Sequence, residues 1–247
     1  MNAAALFLVT HGSSDRRSWL ALQNLITVAR SLGDQVGDRH ISGGCLEGQP
    51  LTLAQQLVQF ADEVSQCGGS QIIILPLFLL AGVHVSEDIP AEVAIAQSKF
   101  QNEFQNKLTF SITARLGTNS QIPNLLLQQF EKYEKHEHDH LSQKQGRILI
   151  AHGSRRAGAN QVVEDLAKHS QAIAAYWGVE PKLETQIESL LAQGICEINI
   201  LPYFLTEGTI TEAIARKLEP YRDRAQIQLL PVPLSSQQII DLSLELI

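Results

Sequence analysis

The chain has 247 residues, of which 44% are hydrophobic and 18% charged, so it has enough apolar residues for one large core or two small ones. Its net charge of -7 excludes nucleic acid and anionic membrane surfaces as main partners, because both would repel it. The three cysteines are widely spaced and include no CxxC pair, which indicates reduced structural residues. The sequence has no basic leader and no apolar run of spanning length, which predicts a cytoplasmic protein.

The first half of the chain alternates short β-rich runs with longer stretches whose apolar residues recur at helical spacing. Predicted strands lie at about residues 6–10, 40–46, 71–77 and 109–115, and predicted helices near 17–32, 50–67, 87–105 and 121–133. Strands that alternate with helices form parallel sheets. This half is therefore predicted to be an α/β unit with one four-stranded parallel sheet flanked by helices.

A polar stretch separates the two halves at residues 134–146 and contains His136, His138 and His140. Alternating histidines in a solvated segment can bind metal, although such a stretch is more often only hydrophilic chain. We therefore predict an N-terminal domain of residues 1–133, a linker of residues 134–146 and a C-terminal domain of residues 147–247.

The second half repeats the first. The segment LVTHGS at residues 8–13 returns as LIAHGS at 149–154, and IIILPLFL at 72–79 returns as INILPYFL at 198–205. Strands are predicted near residues 147–151, 181–185, 196–202 and 226–231. The repeat indicates an internal duplication, so the second half is predicted to form a four-stranded parallel sheet of its own.

Each copy of the His-Gly-Ser motif lies at the end of a strand, directly before a helix. Ligand crevices in open parallel sheets lie at the carboxyl ends of the strands, so His11 and His152 fall on functional edges. Gly12 allows a sharp turn, and Ser13 or Ser154 is expected to cap the following helix and leave its amides for an anion. A histidine that only completes a capped turn is the alternative at each position.

A second cluster, GVHVSEDIP at residues 82–90, follows the strand predicted at 71–77 and so emerges on the same edge as His11. His84 and His11 can then converge. Two neutral imidazoles bind the later first-row divalent metals and leave coordination positions open. The alternative, in which residues 86–90 merely begin a helix, leaves His84 without a role.

These motifs resemble those of the sirohydrochlorin cobaltochelatase and ferrochelatase family, the CbiX and SirB type. That family carries an early strand ending in HGS and a later LPxFLxxGxHxxxDIP motif, and residues 8–13 and 75–90 match both in order. The two-half arrangement is similar to the long form of the family. The resemblance implies a chelatase-like fold of two Rossmann-like halves that face each other across a cleft.

The resemblance also implies a metal-binding pair at His11 and His84, with Glu47 as a carboxylate that faces the site. The implied activity is that of a lyase that inserts Co²⁺ or Fe²⁺ into sirohydrochlorin, on the way to siroheme or cobalamin. Ni²⁺ also suits imidazole ligands, and the sequence does not choose among the three ions. The two histidines would hold the ion and accept pyrrole protons, and Glu47 would relay protons outward.

Substrate binding is assigned to groups near the first motif. The carboxylates of a sirohydrochlorin-type tetrapyrrole would contact backbone amides near Ser13 and the guanidinium groups of Arg16 and Arg115. No cofactor beyond the substrate metal is expected. Neither GxxxxGK[ST] nor GxGxxG occurs, so ATP is not expected to be required.

The second half departs from the metal-site pattern, because the offset of the LP motifs, 202 − 76 = 126, puts Ile210 opposite His84. His152 is therefore predicted to lack a partner, and one active site is expected, built mainly by the first half. Since the chain contains both halves, it is expected to act as a monomer, with a dimer as the alternative.

Other functions are weaker alternatives. A phosphoryl-transfer enzyme with His11 as nucleophile would leave His84 unexplained. A hydrolase that uses Ser13 would need the sequence GxSxG, which neither HGS copy supplies. A metal-binding or delivery protein is suggested by the linker histidines and would need no tetrapyrrole.

Overall fold

The structure, a computed structural model, describes residues 4–33, 39–104, 108–134 and 145–247. The linker histidines His136, His138 and His140 lie outside the described residues. Within the described ranges, no helix is long and apolar enough to cross a bilayer.

Within the described residues, the first half forms four strands and four α-helices. The strands are β1 (Ala5–Gly12), β2 (Ile41–Glu47), β3 (Gln71–Pro76) and β4 (Thr109–Ile112), and the helices are α1 (Arg16–Ser31), α2 (Leu53–Gln66), α3 (Ile89–Phe104) and α4 (Ile122–Lys132). A π-helical turn, His84–Asp88, leads directly into α3, and a 3-10 turn, Leu116–Thr118, precedes α4. The strands form one parallel sheet in the order β2-β1-β3-β4. The elements predicted for this half are confirmed.

The second half repeats this topology. In chain order its elements are β5 (Gln145–Ala151), α5 (Gln161–His169), β6 (Ile173–Tyr176), α6 (Leu183–Ala192), β7 (Glu197–Pro202), α7 (Thr209–Lys217), a 3-10 turn (Glu219–Tyr221), β8 (Gln226–Leu229) and α8 (Ser236–Leu244). The sheet order is β6-β5-β7-β8, again parallel, so the predicted pair of four-stranded parallel sheets is confirmed.

One predicted strand is wrong. Residues 181–185 do not form a strand, because α6 begins at Leu183 and buries Leu183, Ile187 and Leu190 along one helical face. The strand at this place in the sheet is β6, whose sequence IAAY contains two alanines. Alanine is a weak strand former, so this short run gives little β signal in the sequence.

Each sheet is buried between helices, and the alternation of side chains along β1 shows how. Phe7 and Val9 point into an apolar cluster with Leu57 and Phe60 of α2. The opposite face of the sheet lies against α1, whose buried residues include Leu22. Because both faces are covered, the central strands are apolar at nearly every position, as buried parallel strands are.

The compact units do not coincide with the two halves of the sequence. One unit contains Met1–Asn119 and Ser235–Ile247, and the second contains Ser120–Leu234. Helix α4 therefore belongs to the unit of the second sheet, and α8 belongs to the unit of the first. The predicted domain limits, 1–133 and 147–247, instead assign α4 to the domain of the first sheet and α8 to the domain of the second.

Polar contacts hold each of these helices in its unit. In the first unit, the buried Asn119 side-chain amide donates to the Leu242 carbonyl in α8 (3.0 Å), and Asn24 of α1 donates to the Ser236 hydroxyl (2.8 Å). In the second unit, Arg147 of β5 lies over the ring of Phe130 in α4, with its guanidinium carbon 5.5 Å from the ring centroid. These contacts bind α8 to the first sheet and α4 to the second.

A close backbone contact fixes the loop that follows β3. The Gly117 N–H donates to the Phe78 carbonyl (3.0 Å), and a Cβ atom on Gly117 would lie 1.8 Å from the Leu79 carbonyl oxygen. The loop that ends at His84 therefore rests on the backbone of the 3-10 turn, and only glycine allows this approach.

We expect Gly117→Ala to destabilise the protein by about 1–3 kcal/mol, because the added methyl group forces the two backbones apart. The measurement is urea denaturation followed by circular dichroism. Gly82→Ala, in the same loop, has no neighbour within 4 Å of its Cβ position, and we expect a change within about 0.5 kcal/mol. Equal effects of the two substitutions would contradict the close-contact explanation.

Candidate metal site

The first edge of the site is the turn at the end of β1. Gly12 has φ +78°, and a Cβ atom there would lie 2.1 Å from the Glu47 carbonyl oxygen and 2.9 Å from the Cys45 sulfur. Gly12 and Glu47 are register partners in the β1–β2 pairing. Position 12 therefore needs glycine, because the positive φ and the close contact with Glu47 both disfavour a Cβ atom. The turn places His11 at the carboxyl edge of the sheet.

The second edge is the loop after β3. The Leu77 N–H donates to the Val9 carbonyl (2.8 Å), which extends the β1–β3 pairing past the end of β3, and Leu77 and Leu79 are both buried. The π-helical turn then begins at His84, whose carbonyl accepts from the Ile89 N–H. Single π turns inside helices occur frequently at functional sites.

The two edges bring His11 and His84 together. Their Nε2 atoms are 3.1 Å apart, the ring centroids are 4.5 Å apart, and the ring planes are nearly perpendicular at 84°. His11 is exposed, and 41% of the His84 side chain is exposed. The convergence predicted from the sequence is present, and the pair is open to a ligand from outside.

The hydrogen bonds of the two rings fix which nitrogen of each faces the partner. His11 donates its Nδ1–H to the Gly12 carbonyl (2.9 Å), and His84 donates its Nδ1–H to the Asp88 carboxylate (2.7 Å). A carbonyl and a carboxylate only accept, so each neutral ring carries its proton on Nδ1. Both Nε2 lone pairs then point into the same space, which favours a cation between them.

The spacing suits one metal ion. With metal–nitrogen distances of about 2.1 Å, an Nε2 separation of 3.1 Å corresponds to an N–metal–N angle of about 95°, close to that of neighbouring octahedral ligands. Across the part of the chain that the structure describes, no group of three or more His, Cys, Asp and Glu side chains is placed to hold a metal ion. The pair therefore offers two protein ligands and leaves several positions to other donors.

Cys45 lies directly beneath the Gly12 turn but does not extend this ligand set. The side chain is buried, and burial raises the pKa of the thiol. A thiol must be deprotonated to bind metal, and a raised pKa keeps it protonated. Cys45 therefore packs as an apolar residue, as the sequence analysis predicted for it.

Glu47 is exposed at the end of β2, beside the turn that carries His11. Its Cα lies at the register position of Gly12 on the neighbouring strand. The carboxylate therefore belongs to the same sheet edge as His11, without a direct contact to the imidazole pair among the hydrogen bonds of the described residues.

The predicted capping role of Ser13 is wrong. Asp15 is the N-cap of α1 and accepts from the Arg17 N–H (2.9 Å), and its carboxylate also pairs with the Arg17 guanidinium. The Ser13 hydroxyl instead accepts from the Asp15 N–H (3.1 Å). A carboxylate of the chain itself therefore occupies the start of α1, which the sequence analysis left free for a substrate anion. Ser154 likewise does not cap α5, which follows Asn160.

The two predicted substrate arginines differ in their surroundings. Arg16 is exposed at the first position of α1. Arg115 is partly buried between β4 and the 3-10 turn, and its Nε is buried without a hydrogen-bond partner among the described residues. A buried donor without a partner costs free energy, so Arg115 is the stronger candidate for binding an acceptor group.

The second half lacks this pair. His152 is exposed after β5, and its carbonyl accepts from the Gly178 N–H (2.7 Å), so glycine stands beside the second motif where Glu47 stands beside the first. Ile210, at the position of His84, packs against the apolar core of its unit. That His152 has no metal-binding partner stays a prediction.

Asp88 has no role among the predictions made from the sequence. Its carboxylate contacts His84 from the other end of the π-helical turn. The spacing of four residues between a histidine and an aspartate at the start of a helix is the signal that could have found it, since such residues lie on one helical face.

Solved structures share this fold. SirB from Bacillus subtilis with Fe³⁺ has a TM-score of 0.75 and 18% identity, and the match covers 99% of this chain and 94% of that one. The sirohydrochlorin chelatase SirB from Bacillus subtilis subspecies spizizenii in complex with cobalt has a TM-score of 0.73 and 17% identity, with the same coverage. The CbiX structure described as the terminal enzyme for biosynthesis of siroheme in denitrifying bacteria has a TM-score of 0.66 and 18% identity, and covers 99% of this chain and 97% of that one. The protein therefore has a two-sheet chelatase-like fold.

Comparison at the level of families is more specific. The CbiX family model matches residues 5–133 and 146–241, which include both halves. The chain belongs to the CbiX family. A search of curated proteins finds no match.

We expect Gly12→Ala to destabilise the protein by at least about 2 kcal/mol, because alanine must adopt a positive φ and its methyl group overlaps the Glu47 backbone. The measurement is the shift of the urea denaturation midpoint. Gly158→Ala is the matched control, since Gly158 has φ +75° but no neighbour within 4 Å of its Cβ position. It should lose only about 1 kcal/mol. A loss at Gly12 no larger than at Gly158 would show that the close contact is unimportant.

Proposed function

We propose that this protein is a lyase that inserts a divalent metal ion, Co²⁺ or Fe²⁺, into sirohydrochlorin without ATP. The observation that carries the proposal is the pair of imidazole Nε2 atoms, 3.1 Å apart at the open edge of the first sheet. Membership of the CbiX family supports it, as does the likeness in fold to structures described as sirohydrochlorin chelatases. One of these structures holds Fe³⁺ and another holds cobalt, which fits the same two metals here.

Two protein ligands suit an ion that must be delivered. A structural site encloses its ion with four protein ligands, whereas His11 and His84 leave positions that water fills first and pyrrole nitrogens fill next. Metal insertion exchanges ligands one by one, so a site with few protein ligands releases its ion at low cost. The exposure of both rings gives a large planar substrate access to the ion.

Proton removal is the second requirement. Insertion displaces two pyrrole protons, and an imidazole that has given up the ion can accept one of them on its free Nε2. Glu47, on the same sheet edge and open to solvent, is proposed to pass protons outward. Its role is that of a relay, since its carboxylate is not part of the imidazole pair.

Substrate recognition is proposed to depend on Arg115 and Arg16. Sirohydrochlorin carries several carboxylates, and a guanidinium group binds a carboxylate through two parallel hydrogen bonds. Arg115 has a buried Nε that lacks an acceptor among the described residues, and Arg16 is exposed at the start of α1. Because Asp15 already occupies the amides at the start of α1, Ser13 is left with its backbone and an exposed hydroxyl as the groups that a substrate can contact.

The alternatives fit the geometry less well. A phosphohistidine at His11 would need free approach to Nε2, but His84 stands 3.1 Å from that atom. A metal-delivery protein would use the same pair of ligands, so it differs from a chelatase only in activity. Binding of Co²⁺ without any acceleration of insertion would favour that alternative.

We expect His11→Ala and His84→Ala each to lower kcat/KM by on the order of 100-fold or more, because each removes a ligand and proton acceptor. The measurement is an anaerobic absorbance assay with sirohydrochlorin and Co²⁺ or Fe²⁺, without ATP. His152→Ala is the control and should stay near wild type, since Ile210 at the position of His84 packs against an apolar core and offers no second ligand. Failure of the wild-type protein to exceed the uncatalysed rate would refute the proposed function.

We expect Arg115→Ala to raise the KM for sirohydrochlorin about tenfold, the size of one lost charge-assisted hydrogen bond. The KM for the metal ion should not change. A methyl ester of sirohydrochlorin is the control substrate, because it lacks the carboxylates and should not distinguish the variant from wild type. An equal effect on acid and ester would contradict carboxylate recognition by Arg115.

A further inference from the structure

The two imidazoles of the metal pair are held in different ways. His84 donates to a carboxylate, that of Asp88, at 2.7 Å. His11 donates to the carbonyl of Gly12, the next residue in its own turn, at 2.9 Å. A hydrogen bond to an ionised acceptor is roughly twice as strong as one between neutral groups. The Nδ1–H of His84 therefore has the stronger partner.

We propose that Asp88 is a positioning residue that makes His84 the ligand that retains the metal ion, whereas His11 is the ligand that leaves when the macrocycle takes the ion. This inference rests on the proposed function, because it divides the work of one metal pair between its two members. Asp88 acts only through His84 and touches neither metal nor tetrapyrrole.

The two imidazoles are expected to differ in strength as metal ligands. A carboxylate that accepts from the far nitrogen of a metal-binding imidazole fixes the tautomer and the ring orientation, and strengthens the bond from the near nitrogen to the metal. His84 has such a partner, and His11 has only an uncharged carbonyl. When a pyrrole nitrogen competes for a coordination position, the more weakly held imidazole is displaced first.

The two histidines also differ in the backbone that carries them. His84 and Asp88 are the first and last residues of one π-helical turn, closed by the bond from the Ile89 N–H to the His84 carbonyl. Ile89 is fully buried and anchors this turn. His11 instead stands on the exposed turn at the end of β1, where its acceptor is its own neighbour in sequence. The backbone of one turn therefore fixes Asp88 relative to His84, the proposed retaining ligand.

The duplicated half has no counterpart of His84 or of Asp88. The offset of 126 that relates His84 to Ile210 also relates Asp88 to Ile214, since 88 + 126 = 214. Ile214 is fully buried, and Ile210 packs on the same apolar cluster. The second half has therefore replaced both members of the pair with apolar residues, as expected if the aspartate serves the histidine.

The test is equilibrium Co²⁺ binding without tetrapyrrole, followed through the ligand-field absorption of the ion, together with steady-state insertion kinetics. We expect Asp88→Ala to weaken Co²⁺ binding by about 10–100-fold and to raise the KM for Co²⁺ while leaving the KM for sirohydrochlorin unchanged. Asp88→Asn keeps an oxygen that can accept from Nδ1 and should fall between Asp88→Ala and wild type. Glu87→Gln, which removes the adjacent carboxylate, is the matched control and should bind Co²⁺ like wild type.

Two further comparisons make the division of roles specific. Asp88→Ala should have no added effect on Co²⁺ affinity in a His84→Ala background, because Asp88 acts through that ring. His84→Ala should weaken Co²⁺ binding more than His11→Ala does. Thermal unfolding of each variant, checked by circular dichroism, separates these effects from a general loss of structure.

The experiments test the metal site, the role of Asp88 and the division between His11 and His84 separately. If the wild-type protein gives no histidine-dependent Co²⁺ spectrum, the metal site of the proposed function fails. If wild type binds Co²⁺ but Asp88→Ala binds it equally well, or if its effect persists without His84, the role of Asp88 is overturned while the metal site stands. Equal losses at His11 and His84 would overturn the division between retaining and leaving ligands.

Discussion

The proximity of His11 and His84 depends on the parallel pairing of β1 with both of its neighbours, β2 and β3. Parallel strands end at the same edge, so the chain leaves β1, β2 and β3 on one side of the sheet. His11 lies at the end of β1 and Glu47 at the end of β2, and the loop to His84 begins after β3. An antiparallel neighbour would place one of these groups at the opposite edge, and the two imidazoles would not meet.

Close packing of backbones turns this shared edge into a defined site. A Cβ atom on Gly12 would meet the Glu47 carbonyl, and one on Gly48 would lie 2.0 Å from the Ser13 carbonyl oxygen. Gly117 approaches Leu79 in the same way. Gly12 and Gly48 hold the turns after β1 and β2 against each other, and Gly117 holds the turn after β4 against the loop after β3. The exposed histidines are therefore supported by backbone contacts, which leaves their rings open to solvent.

Much of the fold was predictable because buried parallel strands leave a strong signal. Continuous apolar runs before HGS and around LP predicted four strands, β1, β3, β5 and β7, and the alternation with helical stretches predicted three more. Strand β6 was missed because its alanines carry little strand preference. The convergence of His11 and His84 followed from the rule for parallel sheets alone. The cap of α1 did not, since Ser13, Ser14 and Asp15 are all common capping residues and only the geometry of the turn selects one. The apolar stripes of α4 and α8 show that each helix must be covered, but not which sheet covers it.

The second half keeps the fold of the first half but differs from it at three positions of the candidate site. It keeps the topology and the strand ending in His-Gly-Ser, but has Gly178, Ile210 and Ile214 where the first half has Glu47, His84 and Asp88. An apolar residue at the start of α7 stabilises its unit by burial, whereas a histidine there would need a partner. The second half therefore uses for its core the positions at which the first half carries His84 and Asp88.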